Sequence, residues 1–419
     1  MFILLPVLLL VSIFLIPAVG YASSPSTIYV AGDGSGDYNC DGKDDHVQIN
    51  EALDLAAKNP QMTTVYLKGP FTYVISDTVV IGSNTTLTGD NTAAIKLAND
   101  VSWPTDQPMI SNKNNGDHDI VICGFEIDGN RDGNKEIVSG KGFHNLFYLN
   151  YCTNLSVHHM YLHNNNGDGV KFRSSSNLKY HDNTIYRLGH DALYAINSTN
   201  IEAYNNNITC RTNSALRLYN SNHAKLHDNV ITSQNEGGAG IEIQKNSSSF
   251  SMDDIEIYNN NIYKTAYAGI WVFGQGSLYP MEQVLNLHIH HNKISDCGLN
   301  SSGAWVGGLV LNGFHNAIIE HNVFDGCYGA AIAHKYVHTW KPEGSGYTTI
   351  VRNNIITNTR PHDASGPGVG LLNAMADTHS FISEHNYLFN NPGGNYVNAN
   401  STTDIYADPR AVDRENQDV

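Results

Sequence analysis

NLKYHDNTI (177–185), NIEAYNNNI (200–208), HAKLHDNVI (223–231), DIEIYNNNI (254–262) and NLHIHHNKI (286–294) are five versions of one line. NAIIEHNVF (316–324), TTIVRNNII (348–356) and SFISEHNYL (380–388) continue it. The seventh residue of each is Asn, at 183, 206, 229, 260, 292, 322, 354 and 386, with gaps of 23, 23, 31, 32, 30, 32 and 32 residues. NLSVHHMYL (154–162) opens the same way with Met160 in that place, and HDIVICGFEI (118–127) is a weaker earlier copy. Between copies runs a second short segment behind a small residue: GVKF (169–172), ALYA (192–195), ALRL (215–218), GIEI (240–243), GIWV (269–272) and GLVL (308–311). Self-similarity of this kind marks a repeat architecture.

Each unit holds two or three strands of three to five residues between Gly, Asn and Asp turns. Strands so short cannot bury an apolar face alone. Stacked in parallel, each pairs with its equivalents above and below, at roughly 4.8 Å per coil. Asn suits the stacked column because its amide both donates and accepts along the pile. Helical solenoids are excluded by the period-two alternation and the β-branched and aromatic content. A propeller blade needs about 40 residues, more than the shorter units supply. The reading is an all-β parallel β-helix of about eleven coils between Asn84 and Asn400, a rod on the order of 50 Å long.

The 419 residues carry 24 Lys+Arg against 40 Asp+Glu, a net charge of −16, with 15% charged and 41% hydrophobic residues. This composition excludes disorder and a multi-span membrane protein, and the acidic balance argues against a nucleic-acid partner. Phe2–Val19 is an apolar run, and Gly20 and Ala22 stand at −3 and −1 of a cut after Ala22. Residues 1–22 therefore read as a secretory signal, although no Lys or Arg precedes the run; an uncleaved anchor is the alternative. Residues 23–83 form a cap and first strands. Within them Ile49, Ala52, Leu53 and Ala56 mark an amphipathic helix over Asp45–Ala57 that closes the first coil. Residues 84–402 are the β-helix and 403–419 a closing segment that stops early, so the native chain is expected to run on. Of six cysteines, Cys297 and Cys327 both lie five residues after a repeat Asn and should stack, as a bridge or a thiol ladder. Seven Asn-x-Ser/Thr acceptors (84, 154, 197, 207, 246, 300, 400) arise readily by chance in so Asn-rich a chain.

Candidate chemistry lies on the second strand, where residues alternate in and out. One outward column reads Lys171, Tyr194, Arg217, Glu242, Trp271; the next reads Arg173, Ile196, Tyr219, Gln244, Phe273, Asn312, His334. Cations and aromatics on adjacent coils suit an anionic sugar chain, since Arg grips carboxylates and rings stack on sugars. The plainer account is a solvated face on which Arg217 pairs with Glu242. Just upstream, Asp168 and Asp191 hold equivalent places on adjacent coils, with His190 beside the second. Carboxylates one coil apart, about 5 Å, do not both ionise freely, so one can act as acid and the other as base or nucleophile. Asp in such turns also caps backbone amides. Asp37, Asn39, Asp41, Gly42 and Asp45 match calcium-loop positions, but Gln48 replaces the closing carboxylate. No cofactor is otherwise expected. His288, His290 and His291 fit stacking beside the Asn column, because alternation keeps neighbouring positions from converging on a metal. His334, Lys335, His338 and Trp340, then Arg360, His362 and Asp363, sit in longer loops, as does 274–285, and could wall the groove.

The cap sequence GDYNCDGKDDHVQINEAL (36–53), followed by Asn-column coils, resembles the pectate-lyase-like right-handed parallel β-helix superfamily, closest to the disaggregatase and disaggregatase-related proteins of methanogenic archaea. NNNGDGVKF (164–172) and GHDALYA (189–195) are similar to the Asp-rich turns of polygalacturonase-type hydrolases. The resemblance implies a secreted or cell-surface depolymerase of an acidic, chondroitin-like envelope glycan of uronic acid and N-acetylgalactosamine. It transfers no catalytic residue one by one. Hydrolysis through Asp168 and Asp191 is the preferred chemistry, with His190 and Arg217 in support. The alternatives are β-elimination using Lys171, Tyr194 or Arg217, epimerisation, or a non-catalytic adhesive surface protein. The expected partner is an acidic extracellular polysaccharide, with no nucleic acid, no membrane after signal removal, and a homo-oligomer compatible with either.

Overall fold

The structure, a computed structural model, describes residues 26–59, 63–104, 107–134, 144–210, 212–234, 236–246, 252–274, 284–299, 306–312, 317–335, 346–363 and 365–410. The proposed signal, Asn300, His338, Trp340 and the tail after residue 410 lie outside them. No helix among the described residues is long and apolar enough to cross a membrane.

The chain winds through three parallel sheets in turn. The first has fourteen described strands, the second and third twelve each, and neighbours in each sheet are equivalent strands of successive coils. Register is residue for residue: Leu178 pairs with Ile201, Ile201 with Ala224, Ala224 with Ile255 and Ile255 with Leu287. A strand of period two puts every second side chain inward, so these residues, and the column Val157, Tyr180, Ala203, Leu226, Ile257, Ile289, are buried. From Glu126–Asp128 onward the second sheet uses three-residue strands whose middle residue is buried, among them Ile185, Ile208, Ile231, Ile262 and Ile294. One apolar core thus runs along the rod.

The Asn column is its polar spine. Asn206 and Asn260 are each 1% exposed. Asn206 Nδ2 donates to Asn229 Oδ1 at 2.9 Å and back to the Tyr180 carbonyl at 2.9 Å, while its backbone N–H donates to the same Oδ1 at 3.1 Å. The pattern repeats through Asn354 to Asn386, and Met160 enters the series by donating its N–H to Asn183 Oδ1. At the far end Asp404 replaces the amide, accepting from Asn386 N at 2.8 Å. At the near end the helix His46–Ala57 buries Ile49, Ala52, Leu53 and Ala56 against the first coil, the stripe that its spacing specified. Cys297 and Cys327 are buried free thiols.

Asn154, Asn177, Asn200, His223, Asp254 and Asn286 hold equivalent places at the start of the first-sheet strands, with φ between +49° and +57°. Asn and Asp tolerate this left-handed region better than most residues. A groove of about 920 Å³ runs there, lined among others by Lys179, Glu202, Lys225, Glu256 and His288.

Candidate functional site

The third sheet carries the residues singled out by alternation. On Phe147–Asn150, Val170–Arg173, Leu193–Ile196 and Ser214–Tyr219, Tyr148, Lys171, Tyr194 and Arg217 are register partners on successive strands. Lys171 Nζ lies over the Tyr148 ring at 5.1 Å and the Tyr194 ring at 5.5 Å. Arg217 lies over Tyr194 at 4.6 Å and Tyr219 at 5.6 Å. Lys171 and Arg217 therefore share one flank.

Their electrostatic situations differ. Arg217 Nε is 3.1 Å from Glu242 Oε1, its Nη1 3.5 Å from Asp191 Oδ2, and its Nη2 donates to Gln244 Oε1 at 2.5 Å. Burial alone would favour its neutral form, but Glu242 and Asp191 outweigh that and raise its pKa. The plainer account, a pair with Glu242, thus describes Arg217. Lys171 has no carboxylate partner among the described residues. Arg173 has none either, and donates to the Tyr148 hydroxyl at 3.3 Å.

Beneath this strip lies the acidic cluster. His190 Nδ1 is 2.6 Å from Asp168 Oδ1 and 3.2 Å from Asp191 Oδ2. The Asp191 side chain is fully buried and that of Asp168 is 4% exposed, whereas His190 is 24% exposed. Asp168 Oδ1 accepts Asp191 N, and Asp191 Oδ1 accepts Ser214 N and Asn213 Nδ2. Asn145 Oδ1 accepts Asp168 N in the same way. The two carboxylates are thus rungs of a second polar ladder, the amide-capping role open to Asp in turns. They stand below His190, not as an open pair facing a substrate.

Burial pushes the Asp191 carboxyl up to about 7, against the lowering influence of His190 and Arg217. Burial also works against the His190 cation, but Asp191 and Asp168 outweigh it and its pKa rises. Burial raises the Tyr194 phenol as well, which keeps it protonated. With Nδ1 held by Asp168, His190 turns Nε2 toward Asn213 Nδ2, 3.3 Å away. A His oriented by a carboxylate at one nitrogen is a proton-transfer group at the other.

Other expected site residues lie elsewhere. Trp271 and Phe273 are 9% and 3% exposed, stack at 4.3 Å, and belong to a second apolar cluster with Val310, Ala239 and Ala268. His334 is 1% exposed, bonds Thr349 through Nε2 at 2.9 Å and stacks on Phe381. These three side chains pack inside the protein and offer no open ring to a sugar, because every residue of the third-sheet strands Ala239–Lys245, Leu309–Asn312 and Ala330–His334 is buried. Glu242 is likewise buried, and bonded to Ser214 Oγ. The calcium-loop carboxylates serve backbone amides: Asp37 accepts Tyr29 N, Asp41 accepts Lys43 N, and buried Asp45 accepts Asp41, Gly42 and Val74 N–H groups. Asn39 Oδ1 accepts Gly36 N. Tyr148, Asn145, Asn213 and Ser214 were not foreseen, although HNLFYL (144–149) and NSALRL (213–218) align with GDGVKF and HDALYA and show the same column.

Residues 252–419 match the family described as disaggregatase related, and residues 73–279 match the right-handed β-helix region. Among solved structures, the A-module of the Azotobacter vinelandii mannuronan C-5 epimerase AlgE6 superposes with a TM-score of 0.66 at 18% identity, covering 88% of this chain and 96% of that one. PfbA, a surface adhesin of Streptococcus pneumoniae, gives 0.56 at 15% identity over 86% of this chain and 85% of its own. A Thermotoga maritima exopolygalacturonase gives 0.52 at 12% identity, covering 84% of each. A search of the curated proteins gives no match. At these identities the likeness to solved structures is one of fold. Taken with the three sheets and the buried Asn column, these matches show that the chain folds as a right-handed parallel β-helix whose residues 252–419 are similar to the disaggregatase-related family.

Proposed function

We propose that the protein is a polysaccharide depolymerase that binds an acidic glycan along the Tyr148–Lys171–Tyr194–Tyr219 strip, with a chondroitin-like envelope glycan as the substrate class. The observation that carries this reading is a strip of aromatic rings holding two cations, Lys171 and Arg173, that no described carboxylate neutralises, in a protein of net charge −16. The epimerase and exopolygalacturonase among the structural neighbours support a carbohydrate ligand, as does the disaggregatase-related match.

The cluster favours β-elimination over hydrolysis. Hydrolysis needs two carboxyl groups on either side of the glycosidic bond, about 5 to 10 Å apart. Here both carboxylates converge on one imidazole nitrogen, and Asp191 is fully buried. His190, oriented by Asp168, is the accessible base for the proton α to a uronate carboxylate. Lys171 neutralises that carboxylate as charge builds on it. The C–O bond at the β position then breaks, a C=C bond forms, and the leaving oxygen takes a proton from the Tyr194 phenol or water. The test is incubation of the purified protein with a uronate-containing glycan. Rising ultraviolet absorbance from unsaturated ends supports elimination; new reducing ends without it restore hydrolysis, and unchanged chain length with inverted uronates means epimerisation. Binding without any product leaves an adhesive surface protein.

A further inference from the structure

On the first sheet, away from the Lys171 strip, four side chains from three successive strands form a crossed square. Glu256 and His288 are register partners on Met252–Tyr258 and Val284–His290, and His290 and Glu320 are partners on Val284–His290 and Ala317–Glu320. The contacts run diagonally: His290 Nε2 to Glu256 Oε1 at 3.0 Å, and His288 Nε2 to Glu320 Oε1 at 2.9 Å. His288 and His290 are two apart on one strand and share a face. Ligand atoms of Glu256, His288 and His290 all lie within 4.8 Å of one another.

The surroundings aim these atoms. Lys225 Nζ sits 3.6 Å from Glu256 Oε2, and Arg352 Nε donates to Glu320 Oε2 at 2.6 Å, so the cations occupy the outer oxygens and leave each Oε1 to the histidines. His290 Nδ1 is 2.9 Å from His291 Nδ1, and its ring lies parallel to Tyr258 at 5.1 Å. That fixes the ring plane and leaves Nε2 as the inward nitrogen, the second layer of contacts that metal-binding histidines require. Glu256 and His288 also line the groove on this sheet, so an ion here would be reached from solvent and keep a position open.

We propose that Glu256, His288 and His290 bind one divalent transition-metal ion of the zinc class, with Glu320 holding His288 from the next strand. Two imidazoles and one carboxylate, with the fourth position open, suit a tetrahedral ion with ligand distances of about 2.0–2.2 Å, and are too rich in nitrogen for calcium or magnesium. The ion would tie two successive coils together and is independent of the sugar chemistry.

The experiment is calorimetric titration of the chelator-stripped full chain with zinc chloride, beside the double variant His288→Ala/His290→Ala. His158, His159 and His181 form a second His group and provide the internal comparison. The parent is expected to take up one more equivalent than the double variant and to melt higher in zinc than in chelator, a gap the variant narrows. Glu320→Gln, which removes the carboxylate that holds His288, is expected to weaken that equivalent by about tenfold or more. If the double variant does not fold, the isosteric Glu256→Gln carries the same comparison. Equal zinc uptake by parent and variant, or none by the parent, overturns the proposal.

Discussion

At the scale of single residues, the division of labour between Asp168 and Asp191 on one side and His190 on the other sets the expected chemistry. His190→Gln is expected to lower turnover on a uronate glycan by about 10²- to 10⁴-fold, the range for loss of a general base, with binding little changed. Lys171→Ala is expected to raise KM by roughly tenfold or more, since a charged hydrogen bond to the substrate is worth about 1.5–3 kcal/mol. The pH dependence has a definite sign. His190 must be neutral to accept a proton, and its carboxylate neighbours raise its pKa, so the acid limb of the rate profile lies above the ordinary imidazole range. Asp191→Asn removes one of those charges and is expected to move that limb to lower pH. The same variant reports on stability. A folded-state pKa raised from 3.8 to about 7 stabilises the protein at acid pH, and that contribution fades as pH rises through about 7. Urea midpoints of Asp191→Asn should therefore fall less than the parent's between pH 4 and 7.

At the scale of elements, the Asn column is the feature most easily tested. Asn229 Oδ1 accepts two bonds from Asn206, and its Nδ2 donates to Ala203 O, His227 O and Asn260 Oδ1. Asn229→Ala strands several buried groups, each worth about 1–3 kcal/mol, so a loss of several kcal/mol in denaturant unfolding is expected. This column and the helix stripe of Ile49, Ala52, Leu53 and Ala56 were legible because periodicity and burial are properties of the chain read in one dimension. So was the shared flank of Lys171, Tyr194 and Arg217, which follows from alternation and register alone. The burial of Trp271, Phe273 and His334 was not legible, because it depends on what covers the outer face of the third sheet. Nor was the submerged position of Asp168 and Asp191. Their spacing is that of an acid–base pair and also that of ladder rungs, and only the bonds to Asp191 N and Ser214 N separate the two. The diagonal Glu–His contacts were not legible either, because they join two residues of one strand to different strands on either side.

At the scale of the whole molecule, each coil touches chiefly its neighbours, so stability is a sum of local terms and of interfaces. Leu53→Asp, which puts a charge into the buried seat of the cap, is expected to unfasten the rod from one end. Hydrogen exchange should then show first-coil amides such as Val65 and Leu67 losing protection while those near Asn354 keep theirs. The spine has one more property at this scale. Every side-chain amide from Asn183 to Asn386 points its NH₂ toward the C-terminal end and its oxygen toward the other, so their small dipoles align like magnets in a row. The positive pole of that row falls on Asn386, and the group that meets it is the Asp404 carboxylate. The column is therefore polar along its length, and among the described residues its final rung is a carboxylate seated where the field of the whole stack favours negative charge.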